Sequence, residues 1–327
     1  MTDFTSFSAF SYQLFILLSV ILSKILVSHF IHHEPLRFFQ FYCQKLSDKV
    51  NKPQNSSKQQ KTAGFISVII TLPPIVVILW MFESFVEVNF IWQALLLYFA
   101  IGSFGLTQTN KNIIQGIKSK QGHLAKQSLN PWVLRETSSL SSLGIYKASI
   151  EMQLLRTLQQ GYTVGFLFII FGPLTALSYR LLLEMHYCWN TKLIKYNYFG
   201  LFVKQITHLM QWLPVRIFSM LLLFSSVGKN ILLFWNLSRQ YFFQLNNNIA
   251  LLMLALNLEV KLGGVALYDD KVNPEDKLRK PSFNDLARQP QITDIVSANN
   301  KINAMVYISL FFLLLLAMAI EFIMANI

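Results

Sequence analysis

Long apolar runs separated by short basic stretches set the character of this chain. A helix that crosses the hydrocarbon core of a bilayer needs about 20 mostly apolar residues. Six runs come near that length: 10–27, 63–82, 88–106, 161–179, 212–228 and 304–324. The first holds Lys24 as its one charge and has neither the basic start nor the small-residue cleavage site of a removable signal peptide. The second contains Pro73-Pro74, which predicts a kink, and a short acidic link with Glu83 and Glu87 joins it to the third. The fourth is interrupted at Gly172-Pro173, the fifth is short and carries Arg216, and the sixth is unbroken. Between the runs, 36–50 places Leu36, Phe39, Tyr42, Cys43 and Leu46 on one face at helical spacing. The apolar stretch 249–260 is too short to span and is predicted to pack under the bundle or lie in the interface. The polar stretch 51–61 reads as a flexible linker, and 268–303, with Pro274, Pro281 and Pro290, reads as a loop into the last span.

Composition supports a chain solvated mainly by lipid. Of 327 residues, 53% are hydrophobic and 13% charged, about half the charged share of a soluble domain; mean hydropathy is +0.42. Lys and Arg in the loops set orientation. Arg37, Lys45, Lys49, Lys52, Lys58 and Lys61 follow the first run, and Lys111, Lys118, Lys120, Lys126, Arg135, Lys147 and Arg156 follow the third, whereas the link between the second and third has none. That alternation places the N-terminus outside and the segments 28–62, 107–160 and 265–303 in the cytoplasm. Arg180, Lys192, Lys195 and Lys204 fall on the wrong side if the fourth run crosses fully, which predicts that runs four and five are re-entrant or interfacial. The expected fold is all-α: one polytopic membrane helix bundle over 1–327, with four to six spans, some broken or re-entrant, and cytoplasmic amphipathic helices. The expected location is a bacterial inner membrane. The net charge of +12 then reflects retention of basic residues on the cytoplasmic side. No recognition motif surrounds them, so no nucleic-acid partner is implied. Cys43 and Cys188, far apart in sequence, form neither a disulfide framework nor a metal site.

Four constellations bear on chemistry. His29, His32 and His33 precede Glu34-Pro35; His29 and His33 at i and i+4 have metal-ligand spacing, but their place at a span's end fits a structural role, and no metal is predicted. Arg216 within Leu213-Pro-Val-Arg is either a functional cation in an apolar run or an interfacial side chain that snorkels. Lys261-Leu-Gly-Gly264 either closes the preceding apolar helix through Gly263 and Gly264 or cradles a phosphate. Asp269 and Asp270 are turn acids or cation ligands. No GxxxxGK[ST] motif or Ser/His/Asp set occurs in the sequence, and no paired carboxylates accompany the fourth run, where 157–171 holds no Asp or Glu.

The order of motifs resembles the AmpE and CobD/CbiB superfamily of bacterial inner-membrane proteins. Leu95-Leu-Leu-Tyr-Phe leads into a basic helix from Lys111 to Lys120, followed by His123-Leu-Ala-Lys and Val133-Leu-Arg-Glu-Thr, which is similar to the family's short Arg-Asp-Thr stretch. Ala148-Ser-Ile-Glu then opens a helix into Gly165-Phe-Leu-Phe and the Gly172-Pro173 break. Leu213-Pro-Val-Arg-Ile resembles a proline-x-arginine element and Lys261-Leu-Gly-Gly an Arg-Leu-Gly-Gly element. The resemblance implies ligand-binding roles for Arg135, Glu136, Glu151, Arg216, Lys261, Gly263, Gly264 and Asp269, and no assigned catalytic residue. The CobD/CbiB branch implies adenosylcobinamide-phosphate synthase, which joins an aminopropanol moiety to a corrinoid acid as an amide, with ATP and a divalent metal. That branch carries an acidic Glu-Asn-Thr-Ser-Asp-Gly stretch; the residues aligned here are Thr157-Leu-Gln-Gln-Gly-Tyr162. The loss of the acids and the Trp212-Leu-Pro-Val-Arg form favour the AmpE branch. The leading expectation is therefore a non-catalytic regulator linked to β-lactamase induction and cell-wall sensing. Its partners would be the lipid bilayer and a small anionic ligand or another membrane protein, and it would need no cofactor. The synthase is the alternative, and a small transporter a third reading.

Overall fold

The computed structural model describes residues 8–27, 36–102, 106–226, 231–266, 268 and 278–326. His29, His32, His33, Asp269 and Asp270 lie outside the described residues. In chain order the helices are α1 (Ala9–Val27), α2 (Arg37–Val50), α3 (Ser57–Glu83), α4 (Asn89–Ala100), α5 (Leu106–Lys118), α6 (Gly122–Leu129), α7 (Ser142–Arg156), α8 (Thr163–Phe171), α9 (Pro173–Cys188), α10 (Leu201–Phe224), α11 (Ile231–Phe242), α12 (Asn248–Leu258) and α13 (Ile292–Ala325). A π-helical turn, Thr157–Tyr162, joins α7 to α8. Strands β1 (Leu262–Ala266) and β2 (Leu278–Phe283) pair antiparallel with Leu262 opposite Phe283 and a bulge between Gly263 and Val265. This is the all-α membrane bundle that the hydrophobic pattern predicts, with one small β-ribbon added.

Among the described residues, five helices are long and apolar enough to span a bilayer: α1, α3, the continuous Ser142–Phe171 made of α7, the π turn and α8, α10, and α13. Ile70 and Trp80 on α3 and Phe311, Phe312 and Phe322 on α13 are exposed large apolar residues. Such faces fit lipid, and the chain is a membrane protein.

The spans differ in detail from those expected. The run 88–106 holds a helix of 12 residues, α4, that stops at Ala100. The break lets the Gly102 N–H donate to Gln160 O at 2.9 Å, and a Cβ on Gly102 would meet the Arg180 guanidinium at 2.3 Å. The run 212–228 is the C-terminal half of α10, a helix of 24 residues. Its polar first half hides from a hydropathy window because Thr207 and Gln211 turn inward and are fully buried. The fifth run is therefore not short, and Pro214 lies within the helix. The fourth run is cut where predicted: Gly172 takes φ 84°, open to glycine, and Pro173 starts α9. The long helix before it begins far upstream, at Ser142.

Three connecting segments also differ. Helix α3 starts inside the expected linker, because the Ser56 hydroxyl accepts from the Gln59 N–H at 3.3 Å while Gln59 Oε1 accepts from the Ser56 N–H at 2.8 Å, a reciprocal cap. It continues through Pro73 and Pro74. Helix α12 is buried from Ile249 to Asn257, so it is a core helix and not an interfacial one. The expected loop 268–303 contains β2 and the first turns of α13, where the Asp294 carboxylate accepts from the Gln291 N–H at 2.6 Å and from both Arg288 guanidinium nitrogens at 2.7 Å.

The core falls into two main packed groups. Helices α7, α10 and α12 bury Leu154, Phe218 and Leu254 together with Leu262 and Phe283 of the ribbon. Helices α1, α4, α8 and α9 bury Ile16, Leu97, Phe168 and Tyr179.

Candidate functional site

Three separate stretches meet at one buried charge cluster. The Arg135 guanidinium donates to Glu151 Oε2 on α7, and both side chains are buried. The other Glu151 oxygen, Oε1, accepts from the Gly263 N–H of β1 at 3.1 Å. One carboxylate thus ties the 133–137 loop, the long helix and the β-ribbon together. Gly263 is required here: its φ is 76° and a Cβ would meet Pro281 O at 2.1 Å. Beside it, Lys261 Nζ pairs with Asp285 at 2.8 Å, both partly exposed. The hydrogen bonds from Lys261 and then from Ser282 hold the Asp285 carboxyl below its usual 3.8. Lys147, one turn before Glu151, lies within electrostatic reach of Lys261, Glu151 and Asp285. The cluster holds three cations against two carboxylates, an arrangement suited to an anion.

The 133–137 loop sends side chains to two sides. Arg135 points inward to Glu151, while Glu136 and Thr137 line an open cleft with His123, Lys126 and Asn130. The Glu136 carboxylate accepts from the Ser138 hydroxyl, and Lys126 Nζ donates to Ser138 O at 2.6 Å. His123-Leu-Ala-Lys and Val133-Leu-Arg-Glu-Thr therefore share one surface with the ion-paired cluster behind it.

The π turn lies next along the same helix. A π turn inserts a residue into the helical ladder, often where function needs it. Gln159 and Gln160 are buried there. Tyr187 OH donates to Gln159 Oε1 at 2.8 Å, Tyr179 OH donates to Gln159 O at 2.9 Å, and Gln211 Nε2 donates to Tyr179 OH at 3.0 Å. Where the resemblance implies acids, this chain packs a neutral amide and phenol network. That donor set does not fit a divalent cation: amide oxygens alone are weak ligands, and Glu151 is already bound to Arg135. Among the described residues, no group of three or more His, Cys, Asp or Glu is placed to hold a metal.

The remaining candidates lie apart. The buried Arg216 guanidinium donates to the carbonyls of Phe242 at 2.8 Å, Asn246 at 3.2 Å and Trp212 at 3.3 Å, and also to Gln244 O. It closes the turn between α11 and α12 and neither snorkels nor joins the cluster. Gly264, with φ 109°, forms the bulge of β1. The two glycines do not cap α12; Glu259, left-handed at φ 54°, does. Asp269 is outside the described residues.

Sequence reasoning missed Asp285, and it passed over an ion pair within α9. Arg180 and Glu184 pair at 2.6 Å, fully buried, and Gln40 Nε2 donates to Glu184 Oε2 at 2.6 Å. Their i, i+4 spacing was the available signal. The two cysteines, distant in sequence, face each other across the α2–α9 contact as free thiols, where hydrogen bonding to Cys188 and burial push the Cys43 thiol up.

Comparison with known proteins places this architecture. The family described as CobD/Cbib protein matches residues 16–300. The "Cobalamin biosynthesis protein CobD" of Leptospira interrogans serovar Lai is 28% identical over 214 residues, covering 64% of this chain and 66% of that protein. The protein of the same name from Stutzerimonas stutzeri is 22% identical over 240 residues, 73% of this chain and 79% of that protein. That from Chromobacterium violaceum is 23% identical over 210 residues, covering 64% and 67%. The chain thus spans just under two thirds of the length of the Leptospira relative, at 66%. No solved structure matches. These findings overturn the expectation of an AmpE-like regulator of β-lactamase induction. That expectation rested on two short stretches, Thr157–Tyr162 and the Trp212-Leu-Pro-Val-Arg form, whereas the match extends over 16–300. A changed turn alters local chemistry and leaves the packing frame in place. The chain belongs to the CobD/CbiB family.

Proposed function

We propose that this protein works in cobalamin biosynthesis, at the step that joins an aminopropanol phosphate to a corrinoid acid as an amide. One observation carries the reading. Three motif-bearing stretches that resemble the family, around Arg135, Glu151 and Lys261-Gly263, converge on one buried carboxylate although they are far apart in the chain. Both co-substrates of such a reaction are anionic. Arg135, Lys147 and Lys261 supply positive charge for a carboxylate and a phosphate, and the exposed face of the Lys261–Asp285 pair leaves Lys261 able to swap partners. Asp285 then accepts from the incoming ammonium group. Since the residues of Thr157–Tyr162 do not fit a divalent cation, no step is routed through one.

The location that goes with this reading is a bacterial inner membrane, with 28–62, 107–160 and 265–303 on the cytoplasmic side, where the substrates are. The cluster draws its residues from the last two of these segments and their borders. A second reading is favoured by the amides Gln159 and Gln160: a protein that binds the corrinoid acid without forming the amide.

The test is expression of the full chain in a bacterium lacking this synthase, scored for cobalamin-dependent growth on cobyric acid, with a parallel visible spectrum of the purified protein after exposure to cobyric acid. Growth supports the synthase. A retained corrinoid spectrum without growth supports the binding reading. Neither growth nor retained corrinoid, with the protein present in the membrane, refutes both.

A further inference from the structure

A second feature of the bundle is separate from the charge cluster. A groove of about 710 Å³ runs between α1, the Ser142–Phe171 helix, α10 and α13, with α5 at one end, a volume within the roughly 300–1,000 Å³ of small-molecule sites. Its polarity is graded along its length. At one end stand Asn110, Gln153, Thr157, Asn299 and Asn303; at the other, Leu17, Phe166, Ile169, Leu313 and Leu316. Among the described residues that line it, none is charged.

Two side chains at the polar end show what chemistry the groove offers a ligand. Asn110 is 5% exposed and Gln153 2% exposed, and on each both the amide nitrogen and the amide oxygen lack a hydrogen-bond partner among the described residues. A buried polar group left unpaired is expensive, and here two complete amides face one cavity. Water is poorly placed to fill the whole groove. Its mouth is edged by Ile170, Phe312 and Leu316, which are exposed on candidate spanning helices, so it opens toward hydrocarbon. The wall near the mouth is kept open by Gly165, where a Cβ would meet nothing nearer than Leu17 at 3.6 Å.

We propose that this groove holds an uncharged amphiphile drawn from the bilayer, its hydrogen-bonding head against Asn110 and Gln153 and its apolar tail along α8 and α13. An amide offers a donor and an acceptor together, so it matches a hydroxyl, ester or amide head. A phosphate or carboxylate head would enter a buried site whose lining supplies no cation, and burying a charge unpaired is strongly unfavourable. This inference does not depend on the cobalamin reading, since no residue of the charge cluster lines the groove.

The experiment reconstitutes the full chain in phosphatidylcholine vesicles containing a monoacylglycerol with a diazirine in its acyl chain. Irradiation and peptide mapping then locate the label. The expected result is label concentrated within residues 153–170 and 299–316. Gly165→Leu, which fills the groove, should reduce it about tenfold. The paired change Asn110→Leu with Gln153→Leu, which keeps volume and removes the head contacts, should also reduce it and leaves the proposal testable if Gly165→Leu does not fold. Label spread evenly over the outer faces of α3 and α13, or unchanged in the folded variants, overturns the proposal. So does equal labelling by the matching phosphatidic acid probe, or displacement of the label by cobyric acid, which would make the groove a corrinoid site.

Discussion

The charge cluster and the amide groove both lie along the Ser142–Phe171 helix, yet they treat buried polarity in opposite ways. At the cluster every buried polar group is answered: Arg135 by Glu151, and Glu151 again by the Gly263 N–H. In the groove, Asn110 and Gln153 are buried and unanswered. The first arrangement holds three chain segments in register and gains stability from its polar groups. The second loses stability to them, which is expected where a ligand supplies the missing partners. Substitution of polar residues should therefore have opposite signs in the two regions.

The largest effect falls on the cluster. Glu151→Ala leaves the Arg135 guanidinium buried without its counter-ion and the Gly263 N–H unpaired. Loss of one partner of a buried pair costs about 3–5 kcal/mol, so the purified variant should show a much lower unfolding midpoint in detergent, or fail to accumulate. Gly263→Ala comes next. It combines a positive φ with a Cβ at 2.1 Å from Pro281 O, strain of about 1–3 kcal/mol, and should lower the midpoint by a smaller step while α7 stays intact.

In the groove the sign reverses. Gln153→Leu replaces an unpaired buried amide with an apolar side chain of similar length, a change that is neutral or stabilising by about 1 kcal/mol. A clear loss of stability would mean that Gln153 has a partner and that the contrast between the two regions is wrong. The smallest effect belongs to the exposed rim. Asp285 sits below its ordinary 3.8 because Lys261 and Ser282 donate to it. A carboxyl depressed in the folded state adds stability above its unfolded value and loses it as pH falls through the folded one. Asp285→Asn should therefore be slightly less stable than the parent at neutral pH, and the gap should close in acid. A gap that widens in acid would contradict the pairing.

How much of this was legible in the residues depends on range. Apolar runs and the Gly172-Pro173 break are local features, and α1, α13 and the cut before α9 follow from them. The end of α4 did not, because the backbone just past it is held by a residue distant in sequence: the Gly102 N–H donates to Gln160 O at 2.9 Å. The length of α10 was hidden for a related reason. Thr207 and Gln211 read as polar positions, but they face the core, and hydropathy does not record direction. At the site, Arg135, Glu151, Lys261 and Gly263 were each legible from motif order, and the structure joins them. Arg216 was legible as an unusual cation, while its use, closing the turn after α11 through backbone carbonyls, was not. Asp285 lies in no motif and emerges through the pairing of β1 with β2. Asn110 and Gln153 carry no sequence signal at all, since an amide becomes informative only once its partners are known to be missing.

A role for the convergent cluster in a cobalamin-pathway reaction can be tested directly. A direct measurement compares two lysines, each half exposed or less and each in an ion pair: Lys261 with Asp285 at 2.8 Å, and Lys195 with Asp48 at 2.7 Å. Surface pairs of this kind contribute little to stability, so both alanine variants should reach the membrane. In a strain lacking the synthase and fed cobyric acid, growth is expected with the parent chain and with Lys195→Ala, and loss of growth with Lys261→Ala at equal membrane levels. Growth with Lys261→Ala equal to the parent, or no growth with the parent chain itself, would contradict it.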